Sequence, residues 1–413
     1  MTSLNKAAIG LQDTDDMKQL RLILLLLTFF LFLPVSASVL SPFPPGRGGQ
    51  PLHIDARIID AKTGERLPFA SVYISGQNST ISNAEGEFVI DADSADVLRI
   101  SYVGYKTVHL RAVDIGQEVL LSSEGEMLGE VVVLGTDLVI QNTLKRMKEE
   151  NKQYRKTKSN YFYRQVGYTD RQCHSFLESF FTARSASQVS EMSLVTGRYL
   201  SVMSMQTISP SNFFTFAQVP VFSNLKHIPS TEQLVPLHRG YARDYLTEMN
   251  VLSDGERRVY VINFVPRDSD AWAIEGRLYV DAKTFQLLKY EGRSTKEWVL
   301  HKMGNKAIVH PITYSFVVNY QLDNGFAEVS SVHFRTNYTA DGHKFETTGM
   351  MFNVADRYFT SRGTLHFNDN LMDLIGRKGL DRDFWQQNEI VKRTPVEEEA
   401  VEIFERDNLF GVF

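Results

Sequence analysis

The sequence predicts a mostly β protein: an N-terminal β-sandwich followed by a curved antiparallel β-sheet domain with a few helices. Three observations carry this expectation. Apolar residues recur at every second position in short runs such as Ala70-Val72-Ile74 and Leu98-Ile100-Tyr102, the period of a strand with one buried face. Longer runs further on do the same, with Tyr314, Phe316, Val318 and Tyr320 alternating against Thr313, Ser315, Val317 and Asn319. Helical spacing is found in two short stretches, at Ile140, Leu144 and Met147 and again at Val396, Ala400, Ile403 and Phe404.

The chain opens on a targeting pattern. Lys18 and Arg21 precede the apolar run Leu22 to Leu33, and Val35-Ser36-Ala37 forms a small-residue cleavage site, so residues 1–37 are read as a signal peptide with Met17 as a possible true start. The run is shorter than the ~20 residues a spanning helix needs, so the expectation is secretion across the inner membrane and no transmembrane span in the mature chain. Cys173 is the sole cysteine, which leaves no lipid-attachment site at the cleavage point and no internal disulfide. Stability then rests on apolar burial, for which 43% hydrophobic and 11% aromatic residues are ample.

Residues 38–52 are a Pro/Gly linker. The sandwich is assigned to 53–135, where Asp60-Ala61-Lys62-Thr63-Gly64 and Asn83-Ala84-Glu85-Gly86 reverse the chain between strands. Gly104 is read as a bulge or a close backbone approach. A helix and linker follow at 136–159, then an antiparallel β domain at 160–365 with turns at Asp281 to Thr284, Asp323-Asn324-Gly325 and Asp341-Gly342. Residues 366–413 form a helical tail. In it Thr394-Pro395-Val396-Glu397 reads as a capping box, and Asp383-Phe384-Trp385 docks the tail on the sheet.

Taken together, residues 57–107 resemble the carboxypeptidase-regulatory-like domain, a transthyretin-type β-sandwich of envelope proteins in Bacteroidetes. The matching residues are Ile58 to Ile74, Asn83 to Phe88 and Leu98 to Tyr105. The resemblance implies a fold and an envelope location but no reaction, because this sandwich accompanies peptidases and outer-membrane receptors as a non-catalytic neighbour. Leu128 to Val133 is similar to the short strand that trails the domain. The remainder, about 137–410, resembles uncharacterised proteins of the same group, and Gly276 to Asp281 is similar to a hairpin of periplasmic lipoprotein-carrier folds.

The formal charge of -5 is mild, and no basic stripe interleaves with aromatics, so nucleic acid is not an expected partner. Lys152, Arg155, Lys156 and Lys158 are read as a solvated linker. His343 and Glu346 have the His-x-x-Glu spacing of a zinc pair, with His366 nearby, but on a strand residues three apart face opposite ways. His174 and Glu178 are read as lacking a partner set, and Cys173 as a buried thiol. Asp91, Asp93 and Asp96 look like a calcium loop without its Gly and distal Glu. Phe413 ends the chain, yet Gly411, Asp407 and Glu405 stand where a terminal barrel signal needs apolar groups. Residues after the sandwich are too few for a plugged barrel of about 22 strands.

No catalytic, cofactor-binding or metal residues are therefore assigned. The expected function is that of a non-enzymatic, secreted cell-envelope protein that binds a partner protein or an apolar ligand. Two alternatives stand beside it: an accessory component of TonB-dependent outer-membrane transport, and a hydrolase whose site is assembled only in three dimensions. The apolar, Pro-broken segment holding Phe213, Phe214, Phe216 and Phe222 is the candidate ligand contact or lid.

Overall fold

The computed structural model describes residues 50–74, 78–123, 127–128, 135–154, 158–201, 237, 244–253, 258–269, 273–295, 298–299, 311–323, 325–340, 342–354, 361, 363–365, 369–388, 391–406 and 411–412. The signal segment, linker residues 38–49 and the Phe213 to Phe222 segment lie outside these residues, as does His366, whereas Pro51 and Leu52, expected in the linker, belong to the first strand.

Strands β1 (Pro51–Asp60), β2 (Ser71–Ile74), β3 (Asn78–Ile81), β4 (Glu87–Asp93), β5 (Val97–Ser101), β6 (Val108–Arg111) and β7 (Glu118–Leu121) build the N-terminal sandwich. One sheet has the order β4-β1-β7 and the other β3-β2-β5-β6. Most neighbours are antiparallel, whereas β1 and β7 pair in parallel. Alternate residues face inward as the strand period requires, and Ile58, Val72, Ile74, Phe88, Leu98 and Ile100 form a water-free core.

Asp60 ends β1 by accepting the backbone N–H of Lys62 and of Thr63, each at 2.7 Å, which lets Gly64 take a positive φ of 72°. Its other oxygen accepts the Tyr105 hydroxyl at 2.7 Å, which ties two loops together. Gly104 differs from expectation. A Cβ there would meet nothing within 4 Å, and its φ is +92°, so it serves the turn closed by Tyr105 N–H to Tyr102 O rather than a close approach.

After the sandwich come β8 (Met127–Leu128) and helix α1 (Thr136–Tyr154). The long strands follow: β9 (Ser159–Thr169), β10 (Gln172–Ser185), β11 (Val189–Ser201), β12 (Tyr245–Ser253), β13 (Arg258–Pro266), β14 (Ile274–Asp281), β15 (Leu287–Ser294), β16 (Trp298–Val299), β17 (Pro311–Asp323), β18 (Phe326–Ala340) and β19 (His343–Asn353). The chain ends in α2 (Leu371–Lys378), α3 (Arg382–Gln387), α4 (Pro395–Arg406) and β20 (Gly411–Val412).

These strands make one 13-stranded antiparallel sheet, β20-β11-β10-β9-β19-β18-β17-β15-β14-β13-β12-β8, with β16 beside β17. Met127–Leu128, which the sequence groups with the sandwich, pairs with Leu252 and Val251 and so extends the large sheet. Helix α1 touches β10, β18 and β12. At ~4.8 Å per strand, β10 and β12 would lie roughly 38 Å apart in a flat sheet, beyond the ~10–12 Å width of a helix. The sheet is therefore curled around α1. Val139 and Ile140 of the helix meet Tyr163, Phe181, Phe264, Phe316 and Phe334 in a single inner core.

On the outer face the tail is held by a buried ion cluster. Glu178 is 1% exposed, and it accepts Arg164 Nε at 2.8 Å and Arg198 Nε at 2.7 Å, with Arg393 Nη2 at 3.6 Å. Arg164 also donates to the carbonyls of Val391 at 2.7 Å and Lys392 at 3.3 Å, so one side chain joins the sheet to the tail. Thr394 and Glu397 cap α4 reciprocally, at 2.7 Å and 3.3 Å. Trp385 and Phe384 pack on Phe180, and Val401 is buried with Val166, Phe176 and Leu200.

Burial by itself would raise the Glu178 carboxyl, but Arg164, Arg198 and Arg393 outweigh it and hold it down to about 2. Because the folded value lies below the ordinary 4.5, this contribution to stability is complete above pH 4.5 and fades as pH falls toward 2. Glu178→Gln removes the anion that three guanidinium groups share, leaving Arg164 its weaker contact with Glu397 and Arg393 its contact with Glu398, each at 3.4 Å. Its expected cost is about 3–5 kcal/mol in urea unfolding at neutral pH, with a shallower loss of stability on acidification than the wild type shows. A wild-type-like urea midpoint would show that the cluster does not hold the tail.

Candidate functional site

Strand alternation places a regular grid of side chains on the outer face of β17, β18, β19 and β9. The register aligns Val317, His333, Met350 and Arg164 in one row. Two residues along each strand lie Ser315, Arg335, Thr348 and Val166, and two further Thr313, Asn337, Glu346 and Tyr168. The opposite parity, Tyr314, Phe316 and Phe334, belongs to the inner core. This grid is the floor of a cleft of about 1330 Å³. Its walls are the sandwich, through Arg57, Arg66, Phe69, Glu85 and Glu87, and the start of α4, through Thr394, Pro395 and Glu397.

The sandwich is seated on this face through Ile81, which packs with Phe162, Met350, Phe352 and Trp385, and at two further places among the described residues. The Tyr102 to Tyr105 turn reaches β13 and β14, where Val103 packs with Val259, Val261, Tyr279 and Leu288. Lys289 Nζ lies 5.3 Å from the Tyr102 ring and 5.2 Å from the Tyr279 ring, and its charge is met by Glu291 at 2.9 Å. At the second place Phe69 stacks on His333, with centroids 3.5 Å apart and planes 18° apart. Phe69 holds a φ of 67°, a conformation that costs an L-residue about 1 kcal/mol or more. Lys392 of the tail closes the joint by pairing with Asp55 at 2.8 Å and Glu87 at 3.6 Å.

The cleft's charges are of both signs and largely paired. Arg57 bonds Glu87 at 2.9 Å, Arg66 pairs with Glu85, and Arg335 lies 3.4 Å from Glu346. His333 is 4% exposed, and neither ring nitrogen has a hydrogen-bond partner among the described residues. Burial pushes its pKa down to about 3, so the ring is neutral.

The residues singled out from sequence are dispersed. His343 bonds Asp170 at 2.6 Å, whereas Glu346 turns to the outer face and Arg335. Asp91 pairs with His53 at 2.7 Å, and Asp96 accepts the N–H of Asp93 at 2.8 Å, so the three acids do not converge. Among the described residues no group of three or more His, Cys, Asp or Glu is placed to hold a metal ion. Cys173 donates to the Ser175 carbonyl at 3.5 Å, and burial raises its thiol to about 12, an inert thiol at neutral pH. His174 meets Thr169 at 3.1 Å, and burial lowers it to about 4. Glu178 corrects the sequence reading, since its partner set is Arg164, Arg198 and Arg393. Sequence reasoning missed His333 and Phe69 as a pair. The only signal was a histidine amid an apolar-alternating strand.

Comparison with known proteins agrees with the sandwich. Residues 54–133 match the family model of the CarboxypepD_reg-like domain, and the N-terminal sandwich is a domain of that kind. The chain is 33% identical over 88 residues to the TonB-dependent receptor SusC of Bacteroides thetaiotaomicron. That match covers 21% of this chain and 9% of the receptor, so the chain spans only a small part of that relative. Solved structures similar to this chain include a LolA superfamily protein of Nitrosomonas europaea, with 9% identity, 55% of this chain and 94% of that chain covered, and a TM-score of 0.21. A putative outer membrane lipoprotein-sorting protein domain of Vibrio parahaemolyticus has 12% identity, covers 57% and 99%, and scores 0.21. MucB in complex with MucA(peri) has 12% identity, covers 52% and 93%, and scores 0.17. Scores of this size assign neither fold nor function. No described helix is long and apolar enough to cross a membrane.

Phe69→Gly removes the ring and the backbone strain together. It is expected to uncover His333, whose carbethoxylation by diethylpyrocarbonate, mapped by peptide mass spectrometry, then rises toward that of His53, an exposed histidine with 67% side-chain exposure. Unchanged protection would mean that Phe69 does not cover the floor.

Proposed function

We propose that this protein is a non-enzymatic binding protein of the cell envelope, and that the cleft between the sandwich and the outer face of the large sheet holds an extended segment of a partner polypeptide. The observation that carries the reading is the cleft floor, a grid of hydroxyl, amide, charged and apolar side chains walled by the sandwich and the start of α4. Its volume of about 1330 Å³ exceeds the ~300–1,000 Å³ usual for one small molecule. An apolar ligand fits it poorly, because Arg57, Arg66, Arg335 and Glu346 would be desolvated against it. Polypeptide brings both signs of charge and a hydrogen-bonding backbone.

The envelope location is supported by the sandwich's sequence likeness to SusC and by the signal-like N-terminus. A role beside a TonB-dependent receptor is compatible with this reading, with the receptor as one source of the bound segment.

Selection of a random 12-residue peptide library on the immobilised full chain tests the proposal. Peptides should be enriched, and Ser315→Trp, which fills the floor from an exposed position, should weaken them about tenfold or more. Absence of enrichment, or binding indifferent to the tryptophan, rejects the cleft as a polypeptide site.

A further inference from the structure

We propose that Arg171 and Lys344 form a carboxylate-binding subsite at the open end of the cleft, so that the bound polypeptide carries an acidic group there. The inference rests on the polypeptide reading above and names the chemistry of one end of the segment.

The two ends of the cleft floor differ. The row of Val317, His333, Met350 and Arg164 is covered at His333 by Phe69 and borders the tail through Arg164. Six residues along the strands, roughly 20 Å away, the floor ends at two adjacent hairpins, β9–β10 and β18–β19. The Asp170 N–H donates to the Lys344 carbonyl at 2.8 Å and ties one hairpin to the other. Arg171 and Lys344 line the cleft from these hairpins, and both are exposed.

Charge sets the two apart from the other cations of the cleft. Arg57 pairs with Glu87, Arg66 with Glu85, Arg164 with Glu178 and Arg335 with Glu346. Neither the Arg171 guanidinium nor the Lys344 ammonium has an ion-pair or hydrogen-bond partner among the described residues. Asp170 stands between them in the hairpin. Its carboxylate accepts the Lys344 backbone N–H at 2.8 Å and meets the His343 ring at 2.6 Å. Its field reaches the Lys344 side chain without an ion pair closing between them.

Backbone geometry marks Arg171 independently. Asp170 and Arg171 are the two-residue loop between β9 and β10, with φ of 48° and 74°. A loop of this kind needs positive φ at both positions, and glycine is the usual second residue because a Cβ is strained there. Asp tolerates the region and uses its carboxylate within the turn, whereas the Arg171 side chain bonds nothing in the fold. An arginine held where glycine would be cheaper points to a task for its side chain. A guanidinium presents parallel N–H donors and an ammonium a compact charge, and a carboxylate matches both. It is the anion that polypeptide itself supplies, from an Asp or Glu side chain or from the chain terminus.

The 12-residue library, displayed with free C-termini on the full chain at low salt, provides the probe. Enriched peptides should carry Asp or Glu near one end or depend on their terminal carboxylate. Synthetic copies amidated at the acidic side chain or at the C-terminus separate the two sources, and one of them should bind about fivefold or more weakly. Arg171→Gly relieves the left-handed backbone, so its unfolding temperature should equal or exceed that of the wild type while peptide affinity falls about threefold or more. Arg171→Glu combined with Lys344→Glu should weaken binding about tenfold or more and remove most of its dependence on salt. Peptides that tolerate both amides, or that bind the double charge reversal within about twofold, overturn the subsite; if Ser315→Trp still blocks them, the cleft stands as a polypeptide site. Absence of any enriched peptide overturns both.

Discussion

The period of two along β9 to β19 is the constraint from which the rest of the molecule follows. Curling around α1 commits one parity of every strand to the interior, so Tyr163, Phe316, Phe334 and Phe264 can only be large and apolar. The other parity faces outward along its whole breadth. A sheet this wide cannot leave that face bare, and the chain covers it from two sides, with the sandwich at one end and the tail at the other. The cleft is the strip they leave between them.

The covers are fastened by different physics. On the tail side, one buried carboxylate is shared by three guanidinium groups, Glu397 and Glu398 meet Arg164 and Arg393 as further anions, and Arg164 also donates to tail carbonyls. Such a cluster is costly to desolvate but unforgiving in geometry, so it specifies one seating of the tail rather than a family of them. On the sandwich side the contacts are aromatic and apolar: Tyr102 and Tyr279 about Lys289, Val103 among valines, Phe69 on His333. Both fastenings hold the cleft walls in place before any ligand arrives, which lowers the ordering cost of binding.

Local chemistry was legible wherever partners lie close along the chain. Asp60-Ala61-Lys62-Thr63 and Asp281-Ala282-Lys283-Thr284 share four residues and form the same turn in two unrelated sheets. In each the Asp carboxylate accepts the backbone N–H groups two and three residues on, at 2.7 and 2.7 Å in one and 3.0 and 2.8 Å in the other. The fifth residue takes a positive φ in both cases, although it is Gly64 in one and Phe285 in the other. The capping box of Thr394 and Glu397 and the inward parity of Tyr314 to Tyr320 were legible for the same reason. Glu178 was not, because Arg198 and Arg393 reach it only after the sheet is ordered and the tail is laid across it. The Gly104 motif misled in a smaller way, since sequence announces a glycine without saying whether space or backbone angle demands it.

Sequence alone therefore determined the β class, the sandwich with its family, the hairpin turns and the helix start at Thr394, because alternation, turn chemistry and capping act within a few residues. Tertiary structure alone decided that Met127–Leu128 joins the large sheet, that the outer face carries the cleft, and that His333 lies beneath Phe69 with no hydrogen-bond partner among the described residues. Those outcomes depend on which strand lies next to which and on what is laid over them, and contacts between residues far apart in the chain leave no local pattern to read.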